Sequence, residues 1–267
     1  MRFLSPIRQG QRGGQLQNRL HWRWAVASCI GTSHLRMGTR KQDAFSVMRV
    51  HPDAMCAIVS DGAGSASHGG QGAALVCRTL LVDFRNWFKQ HEVLPGDETI
   101  MCWIDQLRDH LSMLAQKRGV TRRQFAATLV MLVVFKDQVL ALQIGDSALV
   151  ARKAGVWEAI CWPENGEFAS TTYFVTDDPE VRLHTYRFDR EHDAFALFSD
   201  GLESVALEQA TQQPFARFFD PMIKPVDQAW ADGRLAELSD ALARYLQSPS
   251  LCERTDDDKT LILVSCR

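Results

Sequence analysis

The sequence has little that would tie it to a membrane, to nucleic acid or to an oxidising compartment. Its longest unbroken apolar run, Leu129 to Phe135, is far below the ~20 residues that a bilayer-spanning helix needs. Neither charge sign dominates. The 30 Lys and Arg nearly balance 32 Asp and Glu, for a net charge of −2, so no global field draws the chain to nucleic acid or anionic lipid. There is no C-x-x-C pair, and no His and Cys at zinc-ligand spacing. The seven cysteines, Cys29, Cys56, Cys77, Cys102, Cys161, Cys252 and Cys266, are an odd number and sit mostly in apolar segments. They read as buried, reduced thiols of a cytoplasmic protein. The first twenty residues carry Arg2, Arg8, Arg12 and Arg19 but no apolar core, so they do not read as a secretory signal. Internal repeats and Pro-, Gly- or Ser-rich linkers are also missing.

What is present is an ordinary apolar fraction, 46% of 267 residues, enough for a sizeable core. Residues 1–20 are aperiodic and read as a flexible extension, leaving 21–267 as one domain. Strands are expected at Trp22–Ile30, Phe45–Val50, Met55–Ser60, Ala126–Phe135, Val139–Ile144, Ala148–Lys153, Val156–Trp162, Val181–Phe188, Ala194–Ser199 and Thr260–Ser265. Apolar residues at three- and four-residue spacing predict helices over Gly69–Gln90, from Asp97 to a stop at Gly119, and over Asp227–Gln247. The seven tryptophans fall largely on faces expected to be core. Strands and helices come in runs, which points to α+β with antiparallel sheets.

The distribution of aspartates is distinctive. Ala57-Ile58-Val59-Ser60 leads straight into Asp61-Gly62-Ala63-Gly64, where a strand must end. Phe198-Ser199-Asp200-Gly201 repeats that build. Asp43 precedes an apolar run, Asp146 stands in Ile144-Gly145-Asp146-Ser147, and Asp256-Asp257-Asp258 precedes the last strand. An acid held at the end of a strand is rigidly placed. Several acids without His or Cys suit Mg²⁺ or Mn²⁺, hard cations that take oxygen ligands.

The order of these pieces resembles the metal-dependent Ser/Thr protein phosphatases of type 2C (the PPM family), in its bacterial branch. The matching pieces are Gly31-Thr32-Ser33-His34 through Gln42-Asp43-Ala44, Ser60 to Gly64, Ala127-Thr128-Leu129, Ile144 to Ser147, Phe198 to Gly201, and Asp257-Asp258-Lys259-Thr260. The resemblance implies a four-layer α-β-β-α sandwich, two central antiparallel sheets flanked by helices. It implies two Mn²⁺ or Mg²⁺ ions at one end of the sandwich, and a third, weaker one. Asp61 then bridges two ions, and Gly62 offers its carbonyl. Asp200 and Asp257 hold the second ion, Asp146 shares the third with Asp200, and Asp43 holds water. Catalysis falls to Asp43, Asp61, Asp200 and Asp257, through a metal-bridging water that attacks the phosphorus of phosphoserine or phosphothreonine. The implied partner is a phosphoprotein made by a Ser/Thr kinase, with no nucleic acid and no membrane.

Departures from the family pattern set the competing reading. Gln42 stands where many members have Glu. The positions that often carry a phosphate-holding Arg are Gly38 and Thr39, with Arg36 and Arg40 nearby but out of register. These two changes favour a catalytically weak or inactive regulatory module on the same fold. The intact acids favour an active enzyme more strongly. Gly166-Glu167-Phe168 and Thr172-Tyr173-Phe174 read as a substrate-facing loop, His34 as packing at a strand end, and His68 as a surface or helix-capping residue.

Overall fold

Runs of β-branched and apolar residues build two sheets, and the computed structural model describes residues 21–164 and 172–266 of the chain. In chain order the elements are β1 (Trp22–Cys29), α1 (Thr32–Met37), β2 (Ala44–His51), β3 (Ala54–Ser60), α2 (Gly69–Trp87), α3 (Asp97–Arg118), a 3₁₀ turn (Arg122–Phe125), β4 (Leu129–Phe135), β5 (Gln138–Ile144), β6 (Ala148–Lys153), β7 (Val156–Cys161), β8 (His184–Asp189) and β9 (Ala194–Phe198). A second 3₁₀ turn (Asp200–Leu202) leads to α4 (Glu203–Ala206), β10 (Leu207–Glu208), β11 (Gln213–Pro214), α5 (Ala216–Gln228), β12 (Gly233–Arg234), α6 (Ala236–Leu246), α7 (Pro249–Cys252) and β13 (Lys259–Cys266).

One large sheet runs β2-β3-β4-β5-β8 and the other β12-β1-β13-β9-β6-β7, while β10 and β11 pair with each other apart from both. Pairing is antiparallel except where the two-residue β12 lies parallel to β1. The side-chain period of two divides each strand between two cores. In β3, Met55, Ala57 and Val59 meet Leu197, Ile262 and Val264 between the sheets. Cys56 and Ile58 point the other way, onto Val76, Leu80, Phe84, Ile104, Leu107 and Leu111 of α2 and α3. On the far side, Phe218, Phe219, Ile223 and Leu242 of α5 and α6 cover Ala196, Phe198 and Leu263. The result is the four-layer sandwich that the family resemblance implies. Each fully buried Leu, Ile, Val or Phe is worth about 1.5–3 kcal/mol of transfer free energy, so the three clusters dominate the stability.

Most boundaries agree with the sequence reading within a few residues. Gly119 ends α3 in the left-handed region at φ 66°, as expected of a helix stop. Three differences are real. The helix expected over 227–247 begins only at Ala236, as α6; residues 227–228 are the end of α5, and β12 lies between the two. The sequence reading gives no helix at 216–228, because Pro221 and Pro225 stand inside α5 and each proline costs a helix about 3 kcal/mol. Burial of Phe218, Phe219, Ile223 and Val226 outweighs that cost. The short α1 is also unforeseen; six residues are too few for periodicity to register. Of the tryptophans, Trp22 and Trp157 are buried, whereas Trp230 is 100% exposed and belongs to no core. Among the described residues no helix is long and apolar enough to cross a membrane. Residues 1–20 and Gly166-Glu167-Phe168 lie outside the described residues.

Candidate active site

The strand ends place the acids. Asp61 leaves β3 with its backbone clamped: its N–H donates to Thr128 Oγ1 at 3.0 Å, and its carbonyl accepts from Thr128 N–H at 2.8 Å. Thr128 Oγ1 in turn meets Ser147 Oγ at 3.0 Å. Gly62 must be glycine, since a Cβ there would fall 2.2 Å from the Gly69 carbonyl carbon. Gly201, after Asp200, is equally tight: its Cβ would fall 1.9 Å from the Asp258 carbonyl oxygen. The Asp-Gly motifs thus exist because the backbone comes closer here than any side chain allows.

These clamps bring Asp61, Gly62, Asp146, Asp200 and Asp257 together around one cavity of about 560 Å³. Glu203, the first residue of α4, joins them. Asp43 lies buried behind the cavity. Its Oδ2 accepts from Ser199 Oγ at 2.7 Å and from Thr260 Oγ1 at 2.6 Å. Its Oδ1 is buried without a hydrogen-bond partner, as is Asp200 Oδ1.

The electrostatics follow. Burial first, then the charges of Asp43 and Asp200 and a side-chain bond with Asp200, push Asp61 well above the usual carboxylate range. Burial also lifts Asp43 to about 6, against the pull of the Thr260 and Ser199 hydroxyls. Asp146 rises to about 6 through burial and the charge of Asp200. Asp200 rises to about 6, mainly by burial, although its bond with Asp61 acts the other way. Glu203 rises through burial and the charge of Asp146. Asp61 and Asp200 keep some contact with the cavity, but the surrounding protein still makes burial the largest cause. Crowded acids with buried, unpartnered oxygens fit hard divalent cations, which relieve repulsion and accept the unpartnered lone pairs together.

A second acid centre has a different character. Asp258 is buried, and its carboxylate accepts from Gly31 N–H at 2.7 Å and Gln42 N–H at 2.5 Å, with His34 Nδ1 at 2.9 Å. Next to it, Ser33 N–H and Oγ both donate to the Asp256 carbonyl, at 2.9 and 2.7 Å. The Gly31-Thr32-Ser33-His34 motif is therefore fastened to the 256–258 motif across more than 200 residues of chain. Ligand atoms of His34, Asp257 and Asp258 lie within 4.8 Å of one another, a spacing that a metal ion could use. Because protein donors already fill both Asp258 oxygens, Asp258 acts as a frame for the cavity wall. Lys259, fully buried, donates to the Asp257 carbonyl at 2.9 Å.

Other residues move from their expected places. His34 sits on α1 and lines the acid cavity, rather than packing at a strand end. The sequence reading also missed Asp258, Glu203 and Arg123, the last of which lines the cavity from the 3₁₀ turn before β4. No motif marks Glu203 or Arg123; the run of three aspartates did mark Asp258. Gln42 lines the cavity, with its Nε2 3.4 Å from the Ala66 carbonyl. Arg36 is not in the cavity: it is exposed and paired with Asp256 at 2.6 Å. Arg40 and His68 line a neighbouring cavity. There His68 meets Ser67 Oγ at 2.7 Å and lies against Phe125, with ring centres 4.9 Å apart. Thr172 and Phe174 line the acid cavity, while Tyr173 stacks under the Arg182 guanidinium, 4.7 Å from its ring centre.

Comparison with known proteins agrees with this fold. A solved bacterial serine phosphatase, 17% identical, superposes with a TM-score of 0.63 over 91% of this chain and 96% of its own. A Staphylococcus aureus serine/threonine phosphatase, also 17% identical, gives 0.61 over 91% of this chain and 94% of its own. At the sequence level the chain is 32% identical to Serine/threonine-protein phosphatase 3 of Escherichia coli (strain K12), over 91% of this chain and 98% of that protein. Residues 30–247 match the sequence profile described as Protein phosphatase 2C. The chain belongs to the protein phosphatase 2C family.

Proposed function

We propose that the protein is a metal-dependent protein serine/threonine phosphatase, acting in the cytoplasm on phosphoproteins made by a Ser/Thr kinase. The observation that carries this reading is the set of crowded acids with raised proton affinity and two buried, empty carboxylate oxygens. The similarity to a curated serine/threonine phosphatase supports it. In this reading residues 21–267 act as one domain, with 1–20 as an extension.

Asp61, the Gly62 carbonyl, Asp200 and Asp257 line the cavity and would hold two Mn²⁺ or Mg²⁺ ions, and Asp146 with Asp200 would hold a third. Bound cations supply neutralising charge and acidify the attacking water. The chain does the positioning. Asp43 is fixed through Oδ2 by two hydroxyls, so its free Oδ1 accepts a hydrogen bond from water and orients it. The water oxygen attacks phosphorus in line with the seryl or threonyl oxygen as the P–O bond breaks; the proton the water gives up is balanced by the one that the leaving oxygen, departing with the bonding pair, takes up. The Thr128 and Ser147 hydroxyls keep Asp61 from shifting as charge develops.

The test is phosphate release from a phosphothreonyl peptide by the purified protein. Turnover should require Mn²⁺ or Mg²⁺, stop with EDTA and return when metal is restored. Stabilisation by Mn²⁺ without turnover would favour the regulatory module over the enzyme, and no response to any divalent cation would sink both.

A further inference from the structure

Arg123 is the one arginine that lines the acid cavity among the described residues. It is exposed, and its guanidinium has no ion pair or hydrogen bond among the described residues. This is unusual, since Asp61, Asp146, Asp200, Glu203 and Asp257 line the same cavity. Three nearby arginines are committed, and Arg40 lines a different cavity. Arg122 bonds Asp178, Arg182 bonds Glu164 at 2.7 Å, and Arg36 bonds Asp256 at 2.6 Å.

The base of Arg123 is rigid although its tip is free. Its carbonyl accepts from Ala126 N–H at 3.0 Å, and the next carbonyl, of Gln124, accepts from His68 N–H at 2.9 Å. Phe125 is fully buried. Ala126 then bonds Ala63 N–H at 2.9 Å, and Ala127 bridges to Gly62. Arg123 thus shares one backbone framework with Asp61 and Gly62. It also lines the adjoining groove beside Tyr173 and Arg182, so it stands where a bound substrate would pass from one to the other.

We propose that Arg123 holds the substrate phosphate, with its guanidinium donating to the non-bridging phosphoryl oxygens. A phosphate dianion entering a cavity lined by carboxylates needs a cation that those carboxylates have not already taken. A guanidinium offers a planar pair of N–H donors matched to two phosphate oxygens. This inference rests on the phosphatase reading and deepens it by naming the phosphate contact.

The experiment compares wild type, Arg123→Ala and Arg123→Lys with Mn²⁺. The substrates are p-nitrophenyl phosphate and a phosphothreonyl peptide, with inorganic phosphate as inhibitor. For Arg123→Ala, KM on both substrates and the inhibition constant of phosphate should rise together by about tenfold or more, with a smaller change in kcat. Lys should recover only part, because it cannot bond two oxygens in a plane. The Mn²⁺ concentration for half-maximal activity and the Tm should stay at wild-type values. Unchanged KM and inhibition constants would overturn the assignment. So would a loss confined to the peptide, which would make Arg123 a reader of the flanking residues. A shifted Mn²⁺ requirement would also overturn it, by showing an effect through the metals. A wild type inactive with every divalent cation would instead remove the phosphatase reading, and this inference with it.

Discussion

Asp258 and Asp200 are both drawn into the same end of the sandwich, and they do opposite work. Asp258 receives two backbone N–H groups and sits 2.9 Å from a His34 nitrogen. Asp200 has a buried oxygen with no donor, and Asp61, Asp257 and Asp43 crowd it. A carboxylate whose lone pairs are filled by the protein is framework. A carboxylate pressed against its own kind, with lone pairs empty, is built to receive a cation. Neighbouring residues of one motif are divided the same way, since Asp257 lines the cavity and Asp258 holds its wall.

Breaking the framework should have the largest effect. Asp258→Ala strands three buried polar groups, and its cost should be about 3 kcal/mol or more. In a domain of this size that lowers Tm by roughly 10 °C, measurable by thermal melting in EDTA. A Tm within a degree or two of wild type would remove the distinction drawn above.

Asp200→Asn keeps the size of the side chain but removes a charge from the crowd. Turnover should fall by orders of magnitude, while the metal-free Tm holds or rises. The Tm gain from added Mn²⁺ should shrink, because binding linkage weakens with affinity. Full turnover together with the full Mn²⁺ gain would make Asp200 a turn residue.

The crowding also sets a pH dependence. Asp43, Asp146 and Asp200 titrate near pH 6 when folded, against 3.8 as their ordinary value. Between these limits the folded chain binds more protons than the unfolded chain, so these groups make stability fall as pH rises. The penalty is absent below about pH 4 and complete above about pH 6, in the window those shifts define. In EDTA, wild type should therefore lose Tm relative to Asp200→Asn between pH 4.5 and 7, and Mn²⁺ should erase the difference. Parallel curves in EDTA would contradict it.

The smallest effect belongs to Arg36→Ala. The Arg36–Asp256 pair is exposed on both sides, and such pairs are worth about 0–1 kcal/mol. Tm and KM for p-nitrophenyl phosphate should both stay near wild type. A large rise in KM would move the phosphate contact from Arg123 to Arg36.

Much of the site was legible because strand-Asp-Gly is a local pattern. Asp61 and Asp200 each follow an apolar strand, and their glycines mark a close backbone approach that only glycine permits. The α2 and α3 stripes were legible for the same reason. The late start of α6 at Ala236 was not, since β12 before it forms only by pairing with Arg23 and Trp24 far away in sequence. Nor was α5, whose prolines speak against a helix that burial of its apolar face enforces. His34 was misplaced because its role depends on Asp258, 224 residues along the chain.

The sequence by itself determined antiparallel strands, helices and the acids at the strand ends, because alternation, helical stripes and Asp-Gly turns act within a few residues, and the sandwich followed from the family resemblance those motifs carry. Only the tertiary structure decided which acids are framework and which stand crowded without donors, and which arginine lines their cavity unpaired. Those roles depend on the donors and charges that folding brings within a few ångströms, and these come from the opposite ends of the chain.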